Sequence, residues 1–371
     1  MHKYKVCVYA ISKNESKNVD KWVNSMKEAD EIYVLDTGSN DDTVKLLKEK
    51  GVHVFSKIIN PWRFDVARNE SLKLVPEDTD IYVCTDLDEI FLPGWREKLE
   101  DAWNDDTTAL HYTYNWSLDK NNNPTLSFYY NKIHNKDYKW IYPVHEVLKY
   151  VGKKEETYAE DKSIILNHYP EFKSERSSYL PLLKIAVEEN PEDSRNYYLL
   201  GREYVVYENN HECIDILQKY LGLKSATYYV ERGAAMRYIA RSYKRLGNYN
   251  MARIWYEKAL VETPTLREAY VEYGMMEYDL KNYYNAIIYL ERAASIKENS
   301  LDVVNEIFAW NDTLYKLLAE SYFSTGDLKS ALYYAVVAVS LCNDNRNIEL
   351  KNNIERKIIE VNKCLWNICL L

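Results

Sequence analysis

Three carboxylates lie close together in the segment TDLDE at 85–89, directly after the apolar run IYVC at 81–84. In an extended chain, Asp86 and Asp88 would point the same way while Leu87 faced the core. Carboxylate oxygens suit Mg²⁺ or Mn²⁺, and such an ion can bridge a protein to a diphosphate. The pair alone is not specific, because acidic loops often follow strands. It predicts a metal site only together with other polar groups.

Other polar clusters also stand at or near the ends of predicted strands. They are AISKNE at 10–15, VLDTGSNDDT at 34–43 and PWRFDVARNE at 61–70. In open α/β sheets, ligands bind at the carboxyl edge of the strands, where loops and helix N-termini meet. Asp36 lies where its strand enters a TGS loop, and its carboxylate could accept hydrogen bonds from a nucleobase or ribose. The clusters therefore predict one shared ligand site.

The elements that position these clusters follow from the hydrophobic pattern of the first ~170 residues. Runs rich in Val, Ile and Tyr predict strands at 4–11, 31–36, 52–59, 81–84, 109–116, 126–133 and 163–169. Amphipathic stretches predict helices at roughly 16–29, 41–50 and 65–75. This alternation predicts an α/β domain with a parallel-type sheet.

A helical repeat replaces the strands from about residue 190. Copies at 237–260 and 272–295 align at an offset of about 34 residues, which places Ala252 on Ala286. The same alignment places Gly247 on Lys281 and Ala259 on Ala293. Further copies lie at 196–223 and, after an insertion around 301–312, at 318–341. The period is typical of tetratricopeptide (TPR) repeats and predicts four units plus a terminal helix, with a generic amphipathic bundle as the alternative.

In their order, the motifs AISKNE, LDTGSNDDT, ARNE and LDE resemble those of the family 2 glycosyltransferases, which have the GT-A nucleotide-sugar fold. The resemblance covers about residues 4–170. One bacterial subgroup is similar in ending its GT-A domain with VHE and HY motifs before TPR helices, as PVHE at 143–146 and NHYPEF at 167–172 do here. The glycocin S-glycosyltransferases, which modify a peptide cysteine, are similar in organisation. The usual DAD is DLD in this chain, with both acids retained.

The resemblance implies three segments and a role for each matched residue. The segments are a GT-A domain at 1–175, a TPR-like domain at 176–345 and a C-terminal helix at 346–371. The expected UDP-sugar contacts are Ala10 and Glu15 at the nucleoside, Asp36 at the uracil, Arg68 and Asn69 near the base or diphosphate, and Asp86 near the ribose. Asp88 is the expected ligand of Mn²⁺ or Mg²⁺.

The acceptor side needs a base to take the acceptor's proton. Glu146 is the first candidate and His145 the second, while His168 or His145 could instead complete the metal sphere. Glu89 is interpreted either as an anchor that orients the neighbouring acids or as a negative charge opposite a positively charged partner such as Arg68. Tryptophans 62, 95, 116 and 140 could stack on a sugar, and Trp140 is the first choice.

Composition restricts the partners and the compartment. The 371 residues favour two domains, and the formal charge of −9 argues against a nucleic-acid or anionic-membrane partner. Six scattered cysteines without a CxxC pair suit buried free thiols in a reducing cytosol. No apolar run reaches the ~20 residues needed to span a bilayer. We therefore expect a cytoplasmic protein.

The leading hypothesis is a metal-dependent inverting glycosyltransferase that moves a sugar from a UDP-sugar to a peptide or protein. The TPR part would hold the acceptor or form a homodimer. One alternative changes the acceptor to a cell-surface polysaccharide or lipid-linked saccharide. The other is a non-catalytic TPR adaptor that carries a GT-A relic.

Overall fold

The structure is a computed structural model that describes residues 2–170, 179–297 and 306–369, with side chains described as far as residue 363. The chain divides into two compact units, Met1–Ala186 and Val187–Leu371. The boundary predicted at 175/176 lies outside the described residues, as do the last two residues of the NHYPEF motif and much of the predicted insertion.

The first unit contains ten strands and four complete helices within its described residues. The strands are β1 (Val6–Ser12), β2 (Glu31–Asp36), β3 (His53–Ser56), β4 (Ile81–Cys84), β5 (Glu89–Phe91), β6 (Ala109–Leu118), β7 (Pro124–His134), β8 (Tyr138–Ile141), β9 (Val147–Tyr150) and β10 (Tyr158–His168). The helices are α1 (Val19–Met26), α2 (Thr43–Glu49), α3 (Phe64–Leu72) and α4 (Trp95–Ala102). All seven predicted strands are present, whereas β5, β8 and β9 were not predicted.

The sheet is parallel in one half and mixed in the other. Its order is β3-β2-β1-β4-β7-β6-β10-β5, and β8 pairs with β9 separately. The first four strands are parallel, as predicted, but β7 runs antiparallel to both β4 and β6. The prediction of a parallel-type sheet is therefore wrong for the second half, where β6 and β7 form a hairpin that needs no crossover helix.

Strand β1 has both of its faces buried, as expected for a central parallel strand. Val8 and Ala10 belong to a core that also contains Trp22 of α1. Cys7 and Tyr9, on alternate positions, belong to the core on the other face. The period of two thus fixes β1 between two layers, and its carboxyl end emerges at the edge where the polar clusters lie.

The second unit is made of paired helices. The helices that follow residue 178 are α5 (Tyr179–Glu189), α6 (Ser194–Val206), α7 (Asn210–Gly222), α8 (Tyr229–Arg245), α9 (Tyr249–Glu262), α10 (Arg267–Asp279), α11 (Tyr283–Ser295), α12 (Thr313–Thr325), α13 (Leu328–Leu341) and α14 (Asn345–Cys369). Helices α6 to α13 pack as four consecutive pairs, and α14 packs on α13. This is the predicted arrangement of four units and a terminal helix.

The repeat alignment is confirmed by the backbone. Gly247 and Lys281, matched at the helix break, both have left-handed φ angles, +76° and +61°. Ala252 and Ala286 are both fully buried at the close contact between paired helices. A lysine tolerates this backbone at one break although glycine is the residue that adopts it without strain. Within the described residues, no helix is both long enough and apolar enough to cross a bilayer.

Candidate active-site cleft

A cleft of about 590 Å³ opens in the first unit at the carboxyl ends of β1 and β4. Residues from all four sequence clusters line it, together with side chains of β6, β7 and β10. The lining residues include Ser12, Lys13, Glu15, Thr37, Trp62, Arg68, Asp86, Asp88, Glu89, Tyr114, Trp116, Phe128, Tyr130, Lys132, Trp140, His145, Glu146 and His168. Of the predicted site residues, the cleft brings together Glu15, Arg68, Asp86, Asp88, His145, Glu146 and His168.

The acidic segment after β4 forms a turn, so the prediction of an extended strand end is wrong. The backbone N–H of Glu89 donates to the carbonyl of Asp86 at 3.0 Å, and the Asp86 N–H donates to the Glu89 carboxylate at 2.8 Å. Leu87 is buried, while Asp86 and Asp88 both line the cleft. The two acids therefore converge because the chain turns back on itself, and this turn leads directly into β5.

Arg68, on α3, joins two of the predicted site carboxylates. Its Nη1 lies 2.8 Å from Asp86 and its Nε 2.8 Å from Glu146. Burial lowers the pKa of this guanidinium, but Asp86 and its other neighbours outweigh that and raise the pKa well above its ordinary value. For Asp86, burial raises the carboxyl pKa, but Arg68 and Lys132 lower it well below its usual range. Asp86 is therefore a stably ionised acid held against a fixed cation.

Lys132, on β7, is a site residue that the sequence analysis missed. Its Nζ lies 2.7 Å from both carboxylate oxygens of Glu89, and 3.7 Å from Asp86. Tyr114 also donates to Glu89, at 2.8 Å. The basic partner of Glu89 is thus Lys132, whereas the suggested partner Arg68 binds Asp86 and Glu146. The available signal in the sequence was that Lys132 follows Tyr130 by two residues in a predicted strand, which places both side chains on one face.

Asp88 and His168 form a pair at the cleft. His168 Nε2 lies 3.4 Å from Asp88, and the end of β10 is tied to the turn by the Tyr169 N–H, which donates to the Asp88 carbonyl. His168 Nδ1 lies 3.1 Å from the carbonyl oxygen of Trp116, which can only accept, so Nδ1 carries a proton. In the neutral ring, Nε2 then presents its lone pair toward Asp88.

The Asp88 carboxylate and the His168 imidazole suit a divalent cation whose other coordination positions are filled by a bound ligand. Within the described residues, no three His, Cys, Asp or Glu side chains cluster as a metal cage. Mg²⁺ commonly binds through one or two carboxylates plus substrate phosphates and water, so a complete protein cage is not required. A carbonyl that fixes the other nitrogen of a ligating histidine is a common feature of metal sites. Asp88 and His168 would hold such an ion.

Asp36 organises the TGS loop next to the cleft. One of its oxygens accepts from the N–H groups of Gly38 and Ser39, at 3.1 and 3.0 Å. The other accepts from the hydroxyls of Ser12 and Ser39. A carboxylate has about four acceptor sites, and all are used here. Ser12 and Thr37 line the cleft in its vicinity, and the uracil contact of Asp36 stays a prediction.

Besides Asp36, two predicted contacts do not line the cleft. Ala10 is fully buried in the core beside α1. The side chain of Asn69 binds the backbone of Trp140, donating to its carbonyl at 2.8 Å and accepting from its N–H at 2.9 Å. Asn69 therefore holds β8 in place. Of the two predicted nucleoside contacts, Ala10 and Glu15, Glu15 is the one that lines the cleft.

The PVHE segment has an unusual backbone. Tyr142 and His145 have positive φ angles, 76° and 52°, which residues other than glycine seldom adopt. Pro143 is anchored because its carbonyl accepts from the Phe64 N–H at 3.0 Å, and Val144 is buried. Such strained residues concentrate at functional sites. The segment delivers both base candidates, His145 and Glu146, to the cleft.

The four singled-out tryptophans separate into two groups. Trp95 is fully buried in the core, where its indole N–H donates to the Ser25 carbonyl. The other three, Trp62, Trp116 and Trp140, line the cleft. Trp140 is nevertheless buried, and its indole N–H donates to Tyr9. Trp140 therefore supports the floor of the site.

The comparisons with known proteins match each unit separately. Residues 7–153 match the Glycosyl transferase family 2, and residues 239–261 and 268–300 match the Tetratricopeptide repeat. Uncharacterized glycosyltransferases of Rickettsia prowazekii (strain Madrid E) and Rickettsia conorii (strain ATCC VR-613 / Malish 7) are each 41% identical over 59 residues, 16% of this chain. These matches cover 19% and 20% of the two relatives, so the chain spans only about a fifth of their length.

Among solved structures, the chain is similar to the C-terminal part of a TPR repeat-containing protein from Cytophaga hutchinsonii. The match has 14% identity and a TM-score of 0.40, and it covers 48% of this chain and 64% of that one. The order of elements is a GT-A-like mixed sheet followed by a helical, TPR-like region. The first part of the chain is therefore similar to the Glycosyl transferase family 2, and part of the helical unit is similar to tetratricopeptide repeats.

Proposed function

We propose that the protein is a metal-dependent inverting glycosyltransferase that transfers a sugar from a UDP-sugar to a peptide or protein side chain. The observation that carries the proposal is the cleft itself. The Asp88–His168 pair lies close to Asp86 in the acidic turn. Glu146 and Asp86 are joined by the guanidinium of Arg68, which binds both carboxylates. This arrangement supports a cation site and a carboxylate base within one cavity of a domain that matches the Glycosyl transferase family 2.

The charge of the cleft supports the need for a cation. Three basic and five acidic side chains line it, an excess of two negative charges, namely Lys13, Arg68 and Lys132 against Glu15, Asp86, Asp88, Glu89 and Glu146. Moreover, Arg68 and Lys132 are already paired with acids. A diphosphate entering this cleft would meet net repulsion. A divalent cation at Asp88 and His168 would cancel this excess of negative charge and stabilise the charge on the departing UDP.

The proposed reaction is a single displacement at the anomeric carbon. The acceptor's oxygen or sulfur forms a bond to that carbon, while the bond from the carbon to the UDP oxygen breaks. The electron pair of the broken bond leaves with UDP, and the acceptor's proton passes to a base. Glu146 is our first candidate for this base because its carboxylate lines the cleft, and His145 is the second.

For the helical unit, we propose that the repeats hold the acceptor or join two copies of the chain. Stacked helical repeats present extended surfaces that suit polypeptides. A peptide or protein acceptor is therefore favoured over a polysaccharide or lipid-linked saccharide. Cytoplasmic residence is part of the same proposal, and the four cysteines with described side chains are free thiols.

The test compares wild type with Asp88→Ala in UDP release from UDP-sugars in the presence of Mn²⁺. Asp20→Asn is a matched control, because Asp20 is an exposed acid of the same unit paired with Lys50. We expect loss of activity in Asp88→Ala and normal activity in the control. Equal UDP release by all three proteins would eliminate the metal role. If calorimetry finds that wild type binds neither UDP nor Mn²⁺, the non-catalytic adaptor is the better explanation.

The acceptor class is tested in the native host. Peptides from a strain lacking the gene would be compared with the parent strain by mass spectrometry. We expect one or more peptides to lose a hexose-sized mass in the deletion strain. If the peptides are unchanged while surface polysaccharide or lipid-linked saccharide is altered, the peptide acceptor is wrong.

A further inference from the structure

An aromatic wall, made of Tyr114, Trp116, Phe128 and Tyr130, forms one side of the cleft. Tyr114 and Trp116 are two residues apart on β6, as Phe128 and Tyr130 are on β7, so all four point from the same face of the hairpin. Tyr114 pairs with Phe128 in the antiparallel register, with ring centroids 5.3 Å apart. Tyr114 is buried, but Trp116 is 48% exposed. The wall therefore ends in a large indole that is half open to solvent.

Trp116 is directly linked to the proposed cation site. Its ring centroid lies 4.7 Å from that of His168, whose Nε2 lies 3.4 Å from Asp88. Its carbonyl also accepts from His168 Nδ1. The residue thus fixes the imidazole through its backbone and presents its side chain beside that imidazole. A change of the side chain leaves the backbone hydrogen bond in place.

The strand order determines which part of a donor comes near this indole. The acidic turn follows β4, with β1 and β2 on one side and β7, β6 and β10 on the other. We place the nucleoside at the β1 and β2 side, where Ser12 and Thr37 line the cleft next to Asp36, the predicted uracil contact. With the diphosphate at the turn, the sugar must continue toward β6 and β10. It begins one oxygen beyond the phosphate, next to His168 and Trp116.

We infer that Trp116 is the platform on which the sugar ring of the donor stacks, which makes it a positioning residue for the anomeric carbon. This inference rests on the proposed function. A pyranose has an apolar C–H face, and the indole offers the largest flat apolar surface of any side chain. Stacking at the rim keeps the ring close to the cation site while leaving the anomeric carbon accessible to an acceptor from solvent.

The experiment measures the affinity of the full chain for UDP and for UDP-hexoses by calorimetry with Mn²⁺. The probes are UDP-glucose, UDP-galactose and UDP-N-acetylglucosamine. The variants are Trp116→Ala, Trp116→Phe and the control Tyr129→Leu. Tyr129 is a 53% exposed aromatic of the same hairpin, but it lies on the other face, where Lys162 stands over its ring.

We expect Trp116→Ala to bind UDP like wild type but to bind the best UDP-hexose about tenfold more weakly. Trp116→Phe should recover part of that loss, and Tyr129→Leu should bind both ligands like wild type. Wild-type affinity of Trp116→Ala for the UDP-hexose overturns the inference, as does an equal loss for UDP. A wild type that binds UDP without any gain from the hexose overturns it as well. A wild type that binds no UDP refutes instead the proposed function.

Discussion

The buried pair of Lys132 and Glu89 leads to a quantitative prediction for Lys132→Met. Only 4% of Lys132 and 2% of Glu89 are exposed, and Nζ lies 2.7 Å from both carboxylate oxygens. Methionine fills a similar volume but leaves the buried carboxylate without its cation. Removal of one partner from such a pair costs about 3–5 kcal/mol. Since Tyr114 and the Asp86 N–H still donate to Glu89, we expect the lower end, about 3 kcal/mol at pH 8.

The loss should depend on pH in a defined direction. Burial raises the pKa of Glu89 even beside the opposing charge of Lys132, and removal of that charge raises it further. In the variant, Glu89 therefore keeps its proton in the folded state at pH values above the ordinary carboxyl pKa, where the unfolded chain has released that proton. Stability then falls as pH rises, by at most about 1.4 kcal/mol per unit. The deficit relative to wild type should be small at pH 5 and largest at pH 8.

The assay is native-state hydrogen exchange on peptides from β6 and β7, because a global denaturation signal would mix the two units. Glu89→Gln and the double variant complete a cycle that isolates the coupling. We expect the double variant to regain most of the stability lost in Lys132→Met. A loss below about 1 kcal/mol at pH 8, or a double variant no more stable than Lys132→Met, would refute the reasoning.

Two further predictions concern the site and the core. Because glycine suits the positive φ of His145, His145→Gly should fold and keep measurable UDP release. If Glu146 is the base, Glu146→Gln should lower the rate of UDP release at least 100-fold. The reverse result would assign the base to His145. Burial lowers the pKa of His134 from 6.5 to about 4, so the folded state excludes a proton that the unfolded chain binds. Between pH 6.5 and 4, wild type should lose about 3 kcal/mol of stability through this group, and His134→Gln should show a correspondingly shallower loss in hydrogen exchange; parallel pH profiles would contradict this.

The arrangement around His134 shows why that group stays neutral. Trp140 donates its indole N–H to the oxygen of Tyr9, so the Tyr9 hydroxyl hydrogen is directed to His134 Nε2, 2.7 Å away. The other nitrogen, Nδ1, faces the Asn135 carbonyl, which only accepts. A second proton on the ring would meet the Tyr9 hydroxyl hydrogen, and burial would oppose its charge.

The secondary structure could be predicted from the sequence wherever a single hydrophobic periodicity dominated. Strands such as Glu31–Asp36 and Ile81–Cys84 were predicted to the residue, since both are short apolar runs in a parallel half-sheet. The repeats were readable because the same contacts recur, as at Ala252 and Ala286. Strand β5 was missed because it has only three residues and its partner β10 lies far along the chain.

By itself, the sequence determined the two-part organisation, the family resemblance and the identity of most acids and histidines at the cleft. These properties depend on residue type and spacing, which are local. Only the tertiary structure decided the pairings: Arg68 with Asp86 and Glu146, and Lys132 with Glu89. It also placed Ala10 in the core rather than in the cleft. Such pairings join residues far apart in the chain, and they depend on strand order and register, which local periodicity does not encode.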